Sequence, residues 1–437
     1  MSSFRNNPRK VAVATMVGTA IEYFDNYIYA MAAVLVFNLQ FFDASDPLAN
    51  DMQALSTLAL TFFARPIGAI LFGHFGDKIG RKKTLVASLL LMGISTIAIG
   101  LLPTYAEIGI WATLFLCLCR VGQGIGLGGE WAGAALVAVE NAPKEKRAWY
   151  GIFPQLGAPI GLLLANGAFF LVGAIFGQKA LVEWAWRIPF LSSVVLVVIG
   201  LYLRAKLHES EVFEQVEKQG KTVAVPFKAI FTDHFRPFFV GMMIAASGYV
   251  LFYILAAFAQ LYWKNPATLS DAGHPLGLGQ PASTYTTFLL ITSVIFGIFI
   301  ALSGIYAKKL GRRNLMLYST LAMAIFGLTL PLFLHHGSTT SVFLFVAIGF
   351  MIQGLTFGPM AVLLPEMFPT QVRYSGAALA YTVAGIVGGS VFTVMSVKIN
   401  AQYGLIGIGL YLTVISLISC VALWGLKETK QLELSEI

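Results

Sequence analysis

Charged residues are scarce in this chain of 437 residues, since Asp, Glu, Lys and Arg make up 11% of the sequence while 57% is hydrophobic. Soluble globular domains carry about 25% charged residues, so the composition excludes a water-soluble globular protein. Disorder requires low hydrophobicity and high charge, and is excluded by the same numbers. Long stretches of alternating polar and apolar residues are also missing, which argues against an outer-membrane barrel. We therefore expect an all-α polytopic membrane protein.

Cysteine is rare as well. The three cysteines, Cys117, Cys119 and Cys420, lie inside apolar runs, and their spacing matches neither a disulfide framework nor a metal site. The six histidines are scattered and form no constellation with a nucleophile. We therefore expect no metal, no cofactor and no enzyme activity.

Twelve apolar runs divide the sequence, each close to the roughly 20 residues that a spanning helix needs. The runs fall at about 11–38, 54–76, 84–102, 110–139, 148–175, 186–203, 237–263, 284–307, 314–334, 340–365, 374–397 and 404–426. They predict twelve transmembrane helices in two six-helix halves, residues 1–203 and 237–437, joined by a polar linker at 204–236.

Lysine and arginine fall mostly on alternate connections between these runs. If the N-terminus is cytoplasmic, 23 of the 29 basic residues lie on that side, and only Lys179, Lys264 and Lys398 lie in outer segments. Basic residues concentrate in cytoplasmic loops, so we expect both termini and the linker in the cytoplasm, with the chain in a bacterial inner membrane. The same rule accounts for the net charge of +8 without a nucleic-acid partner.

The two halves repeat each other in sequence. The pattern Glu-x2-Pro-x3-Arg occurs at 140–147 and again at 366–373, and Gly-Arg followed by Lys or Arg occurs at 80–82 and at 311–313. Two six-helix halves in parallel register are the plan of major facilitator carriers. We therefore expect a major facilitator fold.

The loop between the second and third helices carries a more specific motif. Residues 73–82 read Gly-His-Phe-Gly-Asp-Lys-Ile-Gly-Arg-Lys, which resembles the major facilitator signature G-x3-D-[RK]-x-G-[RK]-[RK]. Asp77 can cap a helix or pair with a basic residue across the two halves. In the second copy Lys308 stands where the first has Asp77, so we do not expect the second loop to make the same contact.

The two Glu-x2-Pro-x3-Arg segments resemble the inner-gate signatures of the sugar-porter branch of that superfamily. Ion pairs that form in one conformation and break in the other would close the cytoplasmic side. The residues expected in this gate are Asp77, Arg81, Glu140, Arg147, Arg312, Glu366 and Arg373.

Within the superfamily the chain most resembles the metabolite:proton symporter family. The resemblance is carried by segments at 18–25, 64–77, 120–135 and 184–190. It implies proton-coupled uptake of organic acids such as α-ketoglutarate, citrate and shikimate, or of proline or betaines. Asn26 departs from the family pattern, which usually has an aromatic residue there, and we expect this position to influence substrate choice.

Apart from Arg187 near a helix end, the charged residues inside the predicted helices are Glu22, Asp25, Arg65, Arg120 and Glu130, all in the N-terminal half. Such residues are rare in membranes and usually functional. At about 1.5 Å per residue, the first four lie near the bilayer midplane. Glu130 lies nearer the cytoplasm, where either folding or the inner gate would explain it.

Glu22, Asp25 and Tyr29 are spaced i, i+3 and i+7, which indicates one helix face. An acid that alternates between pairing with an arginine and burial without a partner takes up and releases a proton. We therefore predict that Asp25 carries the proton with Arg120 as its partner and that Glu22 shares in the coupling. Arg65 would neutralise Glu22 or bind a substrate carboxylate, which its guanidinium fork matches.

The leading hypothesis is uptake of a small organic metabolite, carrying a carboxylate, by a proton-driven monomer. Symport of a zwitterion such as proline or betaine is an alternative, with aromatic rings holding its ammonium group. Export by proton antiport is another. The residues expected to bind substrate are Arg65, Tyr29, Gln155, Asn166, Tyr249, Tyr253, Gln353 and Tyr381.

The charge pattern yields a test of topology. A cysteine introduced near Lys218, in the linker, should resist a membrane-impermeant thiol reagent applied to whole cells, because we expect the linker in the cytoplasm. A cysteine near Asp46, between the first two helices, should react. Equal labelling at both positions would contradict the assignment.

Overall fold

The computed structural model describes residues 7–43, 47–206, 226–335 and 337–429. Most of the predicted linker, including Lys218, lies outside these residues, as does Asp46. In the N-terminal half, the long helices are α1 (Pro8–Ala32), α2 (Pro47–Ile79), α3 (Arg81–Leu101), α4 (Ile110–Glu140), α5 (Arg147–Ala180) and α6 (Arg187–Ala205).

In the C-terminal half, the long helices are α7 (Phe235–Tyr253), α8 (Ala282–Leu310), α9 (Arg312–Leu334), α10 (Thr339–Leu363), α11 (Arg373–Gly385) and α12, which is the part of Phe392–Trp424 that follows Gly404. Several helices continue through π-helical turns, notably α1 through Ala33–Phe37, α7 through Ile254–Phe258 and α11 through Ile386–Val391.

The twelve predicted spans are confirmed, although length and composition alone identify ten apolar stretches among the described residues. The last stretch, Arg373–Trp424, holds two helices, because Gly404 adopts φ 66° and breaks the helical path. The first helix is missing from the ten; it carries Glu22 and Asp25 in its middle, and both lower its hydropathy.

Each half is held together by contacts among its own helices. In the N-terminal half, α1 packs on α5, and α4 packs on both α2 and α3. In the C-terminal half, α9 packs on α12, and α8 packs on α10. The halves meet along a seam in which α2 contacts α11 and α5 contacts α8. The seam therefore has the pseudo-symmetry that the sequence repeat predicts.

Glycines set how closely α2 and α4 approach. A Cβ at Gly68 would lie 1.9 Å from the Ile125 carbonyl oxygen, and a Cβ at Gly128 would lie 2.0 Å from the Arg65 carbonyl oxygen. Neither position has room for a side chain, as expected where small residues let membrane helices pack. This contact fixes the stretch of α2 that carries Arg65.

Replacing Gly128 with Ala should therefore destabilise the protein, because α2 and α4 must separate to admit the methyl group. Overpacking of this kind costs about 1–3 kcal/mol. Gly167→Ala in α5 is the matched control, since nothing lies within 4 Å of a Cβ there. Thermal unfolding in detergent, followed by size-exclusion chromatography, should show a lower midpoint for Gly128→Ala than for the parent. The midpoint of the control should be unchanged. Equal midpoints would contradict the close contact.

Candidate functional site

A central cavity lies in the seam, between four helices of each half. Its wall is formed by Glu22, Tyr23, Asn26, Tyr27, Arg65, Leu127, Trp131, Ala158, Ala245, Gly248, Tyr249, Phe252, Tyr253, Phe296, Gln353, Phe357, Met360, Tyr381 and Thr382. The N-terminal half supplies the charge, and the C-terminal half supplies aromatic, amide and apolar groups. Cavities of this kind, mostly apolar with a few convergent polar groups, are typical of small-molecule sites.

Among these lining residues only Glu22 and Arg65 are charged. Tyr253, Gln353 and Tyr381, which the sequence suggested for substrate binding, lie in the wall with them. Tyr249 does too. Sequence reasoning did not single out Tyr23, Tyr27 or Trp131, because an aromatic residue in a membrane helix usually packs.

Several polar atoms around the cavity are buried without a hydrogen-bond partner in the described part of the chain. Among them are Oε2 of Glu22, Nε of Arg65 and Oε1 of Gln353. The Arg65 guanidinium lies 4.5 Å from the centre of the Phe62 ring. Buried polar atoms normally have partners, so these three atoms are available to a polar ligand.

One end of the cavity is closed by contacts across the seam. The rings of Trp131 and Tyr381 stack in parallel with their centres 3.8 Å apart. The Trp131 indole donates to Gln155 Oε1 at 2.8 Å, and the Gln155 amide donates to the Phe357 carbonyl at 2.6 Å. Gln155 therefore lies behind the wall, where it joins α5 to α10.

Aromatic contacts across the seam also lie at the opposite end. Tyr27 stacks on Phe252 with ring centres 6.2 Å apart, and Phe62 meets Tyr253 edge to face at 5.5 Å. The cavity is thus flanked at both ends by contacts that must break for a ligand to enter or leave.

Two other residues expected at the substrate site are elsewhere. Tyr29 is fully buried in the core of the N-terminal half, and its hydroxyl donates to Thr57 at 2.7 Å. The Asn166 amide donates to the Leu162 carbonyl of its own helix. Neither residue lines the cavity. Spacing along a helix placed Tyr29 near the face of Glu22, but Tyr29 lies two turns further along, beyond the cavity.

Asp25 is also fully buried away from the cavity wall. Its carboxylate accepts a hydrogen bond from Ser193 of α6, and the Thr96 hydroxyl of α3 lies within hydrogen-bonding reach. Oδ2 of Asp25 has no partner among the described residues. The structure therefore surrounds Asp25 with hydroxyl groups instead of the arginine that the sequence suggested.

Arg120 interacts with two amide side chains and one aromatic ring. It donates to Gln123 Oε1 at 2.9 Å and to Asn26 Oδ1 at 3.2 Å, and its guanidinium lies 3.9 Å from the centre of the Tyr29 ring. Gln123 in turn donates to the Thr96 hydroxyl at 2.8 Å. A chain of hydrogen bonds thus runs from the cavity residue Asn26, through Arg120, to the surroundings of Asp25.

Glu130 has a partner that the sequence did not reveal. Both of its carboxylate oxygens accept from the Arg204 guanidinium, and Ser88 donates to Oε2 at 2.7 Å. Arg204 lies one residue beyond the sixth apolar run and was assigned to the linker, but α6 continues to Ala205 and Arg204 is 2% exposed. All three residues belong to one half, so this cluster is a fixed internal brace.

Asp77 joins the halves beyond the Trp131 end of the cavity, which we call the gate end. Its carboxylate accepts from the backbone N–H groups of Tyr374 at 3.2 Å and Ser375 at 3.0 Å, and from the Ser375 hydroxyl at 2.8 Å. Arg81 lies 3.7 Å from Asp77 on its own side. Asp77 thus caps the first turn of α11 from the other half.

The two gate glutamates are each placed against arginines. Glu140 lies 3.5 Å from Arg81 and 3.9 Å from Arg373, which belongs to the opposite half. Glu366 lies 3.5 Å from Arg312. Burial raises the pKa of the Glu366 carboxyl, while Arg312, a hydrogen bond with Thr429 and then Arg147, from the opposite half, oppose that rise. The repeated sequence segments therefore form one buried charge network across the seam.

Comparison with known proteins identifies the family to which this fold belongs. The sequence model of the Major Facilitator Superfamily matches residues 15–393. A Haemophilus influenzae protein, whose name provisionally describes metabolite transport, is 62% identical over 100% of both chains. The inner membrane metabolite transport protein YhjE of Escherichia coli is 49% identical over 97% of this chain and 95% of its own length.

A proline/betaine transporter of Salmonella typhimurium is 33% identical over 96% of this chain and 84% of its own length. Among solved structures, the proton:xylose symporter XylE of Escherichia coli, bound to 6-bromo-6-deoxy-D-glucose, gives a TM-score of 0.80. That match has 19% sequence identity and covers 100% of this chain and 98% of XylE. The chain is a multi-pass membrane transporter, not an enzyme, and it belongs to the Major Facilitator Superfamily.

Proposed function

We propose that this protein imports a small organic metabolite carrying a carboxylate, driven by the proton gradient, through alternating access of the central cavity. The observation that carries this proposal is that one arginine, Arg65, and one acid, Glu22, are the only charged residues among the described groups that line the cavity. The relatives named for metabolite transport support the substrate class in its broad form.

Arg65 is the group suited to a substrate carboxylate. Its guanidinium fork matches carboxylate geometry, its Nε is without a partner among the described residues, and the glycine contacts of α2 hold its backbone in place. Gln353, from the opposite half, offers an amide to the same cavity. A ligand bound by both residues would draw the halves together.

A zwitterion is the second candidate, and one observation favours it. Glu22 presents an unpartnered carboxylate oxygen beside Tyr23, Tyr27 and Tyr249, and such a group of acid and rings suits a quaternary ammonium. One of the relatives is named as a transporter of zwitterions, proline and betaine. A panel of organic acids and betaines, tested for uptake at two pH values, separates the two classes.

Asp25 is our proposed proton site. It is buried without a cationic partner among the described residues, and the hydrogen bonds through Arg120 and Gln123 connect it to Asn26 in the cavity wall. Glu130 is the weaker candidate, because its bidentate pairing with Arg204 lies within one half. Glu22 is the stronger competitor, because it faces the cavity directly.

The gate network would close the cytoplasmic side. We infer that the protein lies in a bacterial inner membrane with its gate end and both termini on the cytoplasmic side, because basic residues concentrate at that end. The ion pair between Glu140 and Arg373, and the cap that Asp77 places on α11, join the two halves and would break when the gate end opens. Their loss would favour the inward-open state.

Arg373→Ala should therefore open the gate end. Removing one partner of a buried ion pair costs about 3–5 kcal/mol, and less where water reaches the pair. We expect a cysteine at Ala245, in the cavity wall, to react at least about tenfold faster from the gate side. The measurement uses inverted vesicles and a background without the three native cysteines, and Arg147→Ala should act in the same direction.

Arg313→Ala is the matched control, because Arg313 donates to the Leu423 and Trp424 carbonyls within its own half. It removes one arginine at the same end without touching the seam. Unchanged reactivity and transport in Arg373→Ala and Arg147→Ala would mean that these pairs are static.

Asp25→Asn should separate coupling from binding. The variant is neutral at every pH, so it should exchange substrate at equal concentrations but fail to accumulate it when the outside is acidified. Its accumulation ratio should fall to unity while exchange remains. Arg120→Ala should reduce accumulation too, because it breaks the hydrogen-bonded link between Asn26 and Gln123.

Glu22→Gln is the comparison that assigns the proton. If Asp25 carries it, Glu22→Gln should lower substrate affinity while the accumulation that remains still responds to the proton gradient. If Asp25→Asn accumulates substrate with the parental pH profile, Asp25 is structural. Exchange without accumulation in Glu22→Gln would then assign the proton to Glu22.

A further inference from the structure

A second pocket opens at the gate end, where the start of α1, the start of α5 and the end of α8 meet. Three cationic side chains line it: Arg9 and Lys146 from the N-terminal half, and Lys308 from the C-terminal half. Glu145 is the one acid in the described wall. The pocket therefore carries a net positive charge and lies across the seam, and it shares no lining residue with the central cavity.

The rim of this pocket is apolar and faces outward. Trp149 is 40% exposed, and Val13 and Ile305 are also exposed. Exposed tryptophan beside basic residues is typical of the level where lipid headgroups meet acyl chains. No ion pair within the described part of the chain involves Arg9, Lys146 or Lys308.

The sequence repeat explains why the positive charge is left over. In the first copy, the acid Asp77 faces the start of α11 and accepts its backbone N–H groups. In the second copy, Lys308 stands at the position of Asp77 and shares a pocket with Lys146 and Trp149 at the start of α5. The second contact therefore lacks the negative group that holds the first together.

We propose that this pocket binds an anionic phospholipid, whose phosphate lies among Arg9, Lys146 and Lys308 and whose acyl chains run along Trp149 and Ile305. Basic pockets between membrane helices bind acidic headgroups in this way. The phosphate would supply the charge that the repeat lacks. Because the three cations come from both halves, the bound lipid would also favour the state in which the gate end is closed.

The test uses the purified full-length chain and native mass spectrometry with phosphatidylglycerol. The pocket variant combines Arg9→Gln, Lys146→Gln and Lys308→Gln. The control variant combines Lys83→Gln, Lys228→Gln and Lys427→Gln, which are exposed lysines outside the pocket. Phosphatidylcholine with the same acyl chains tests the headgroup, and inorganic phosphate tests whether the anion alone suffices.

We expect phosphatidylglycerol to bind the pocket variant at least about tenfold more weakly than the parent and the control variant. Lys308→Asp, which restores the acid of the first copy, should weaken binding on its own and serves if the triple variant does not fold. Equal loss in the control variant would overturn the proposal. So would equally tight phosphatidylcholine, or displacement of the lipid by phosphate, which would indicate a free-anion site.

Discussion

Charge buried inside the bilayer must be compensated, and the N-terminal half is organised around that constraint. Glu130 is neutralised by Arg204 within the half, and hydroxyl groups surround Asp25. Only Glu22 and Arg65 bring charge to the cavity, each with a polar atom unpartnered in the described chain. The arrangement keeps two charges available to a ligand while the others hold the helices together.

The contacts divide by whether they cross the seam. The Glu130–Arg204 brace and the surroundings of Asp25 lie within one half, so they can travel with it as a rigid unit. The Asp77 cap on α11 and the approach of Glu140 to Arg373 join the two halves. Alternating access needs contacts of both kinds, because each half must stay intact while the seam opens and closes.

Hydropathy and charge were enough to predict the twelve helices and the seam motifs, because helices and motifs can be read directly from the order of residues along the chain. They also placed Glu22 and Arg65 at a common depth. They wrongly paired Asp25 with Arg120, because depth does not say which neighbour a helix face meets: Asp25 faces α3 and α6. Arg204 was missed because an arginine just after an apolar run is typical of a loop, whereas α6 extends past it.

In the proposed mechanism, the proton and the substrate occupy different places, so something must connect them. Asn26 follows Asp25 directly in α1 and accepts a hydrogen bond from Arg120 while facing the cavity. A substrate that competes for the Asn26 amide would release Arg120, and through Gln123 it would disturb the hydroxyl beside Asp25. Coupling then requires only that α1 and α4 exchange hydrogen-bond partners. Such an exchange would also give Asn26 the part in substrate choice that is predicted from the sequence.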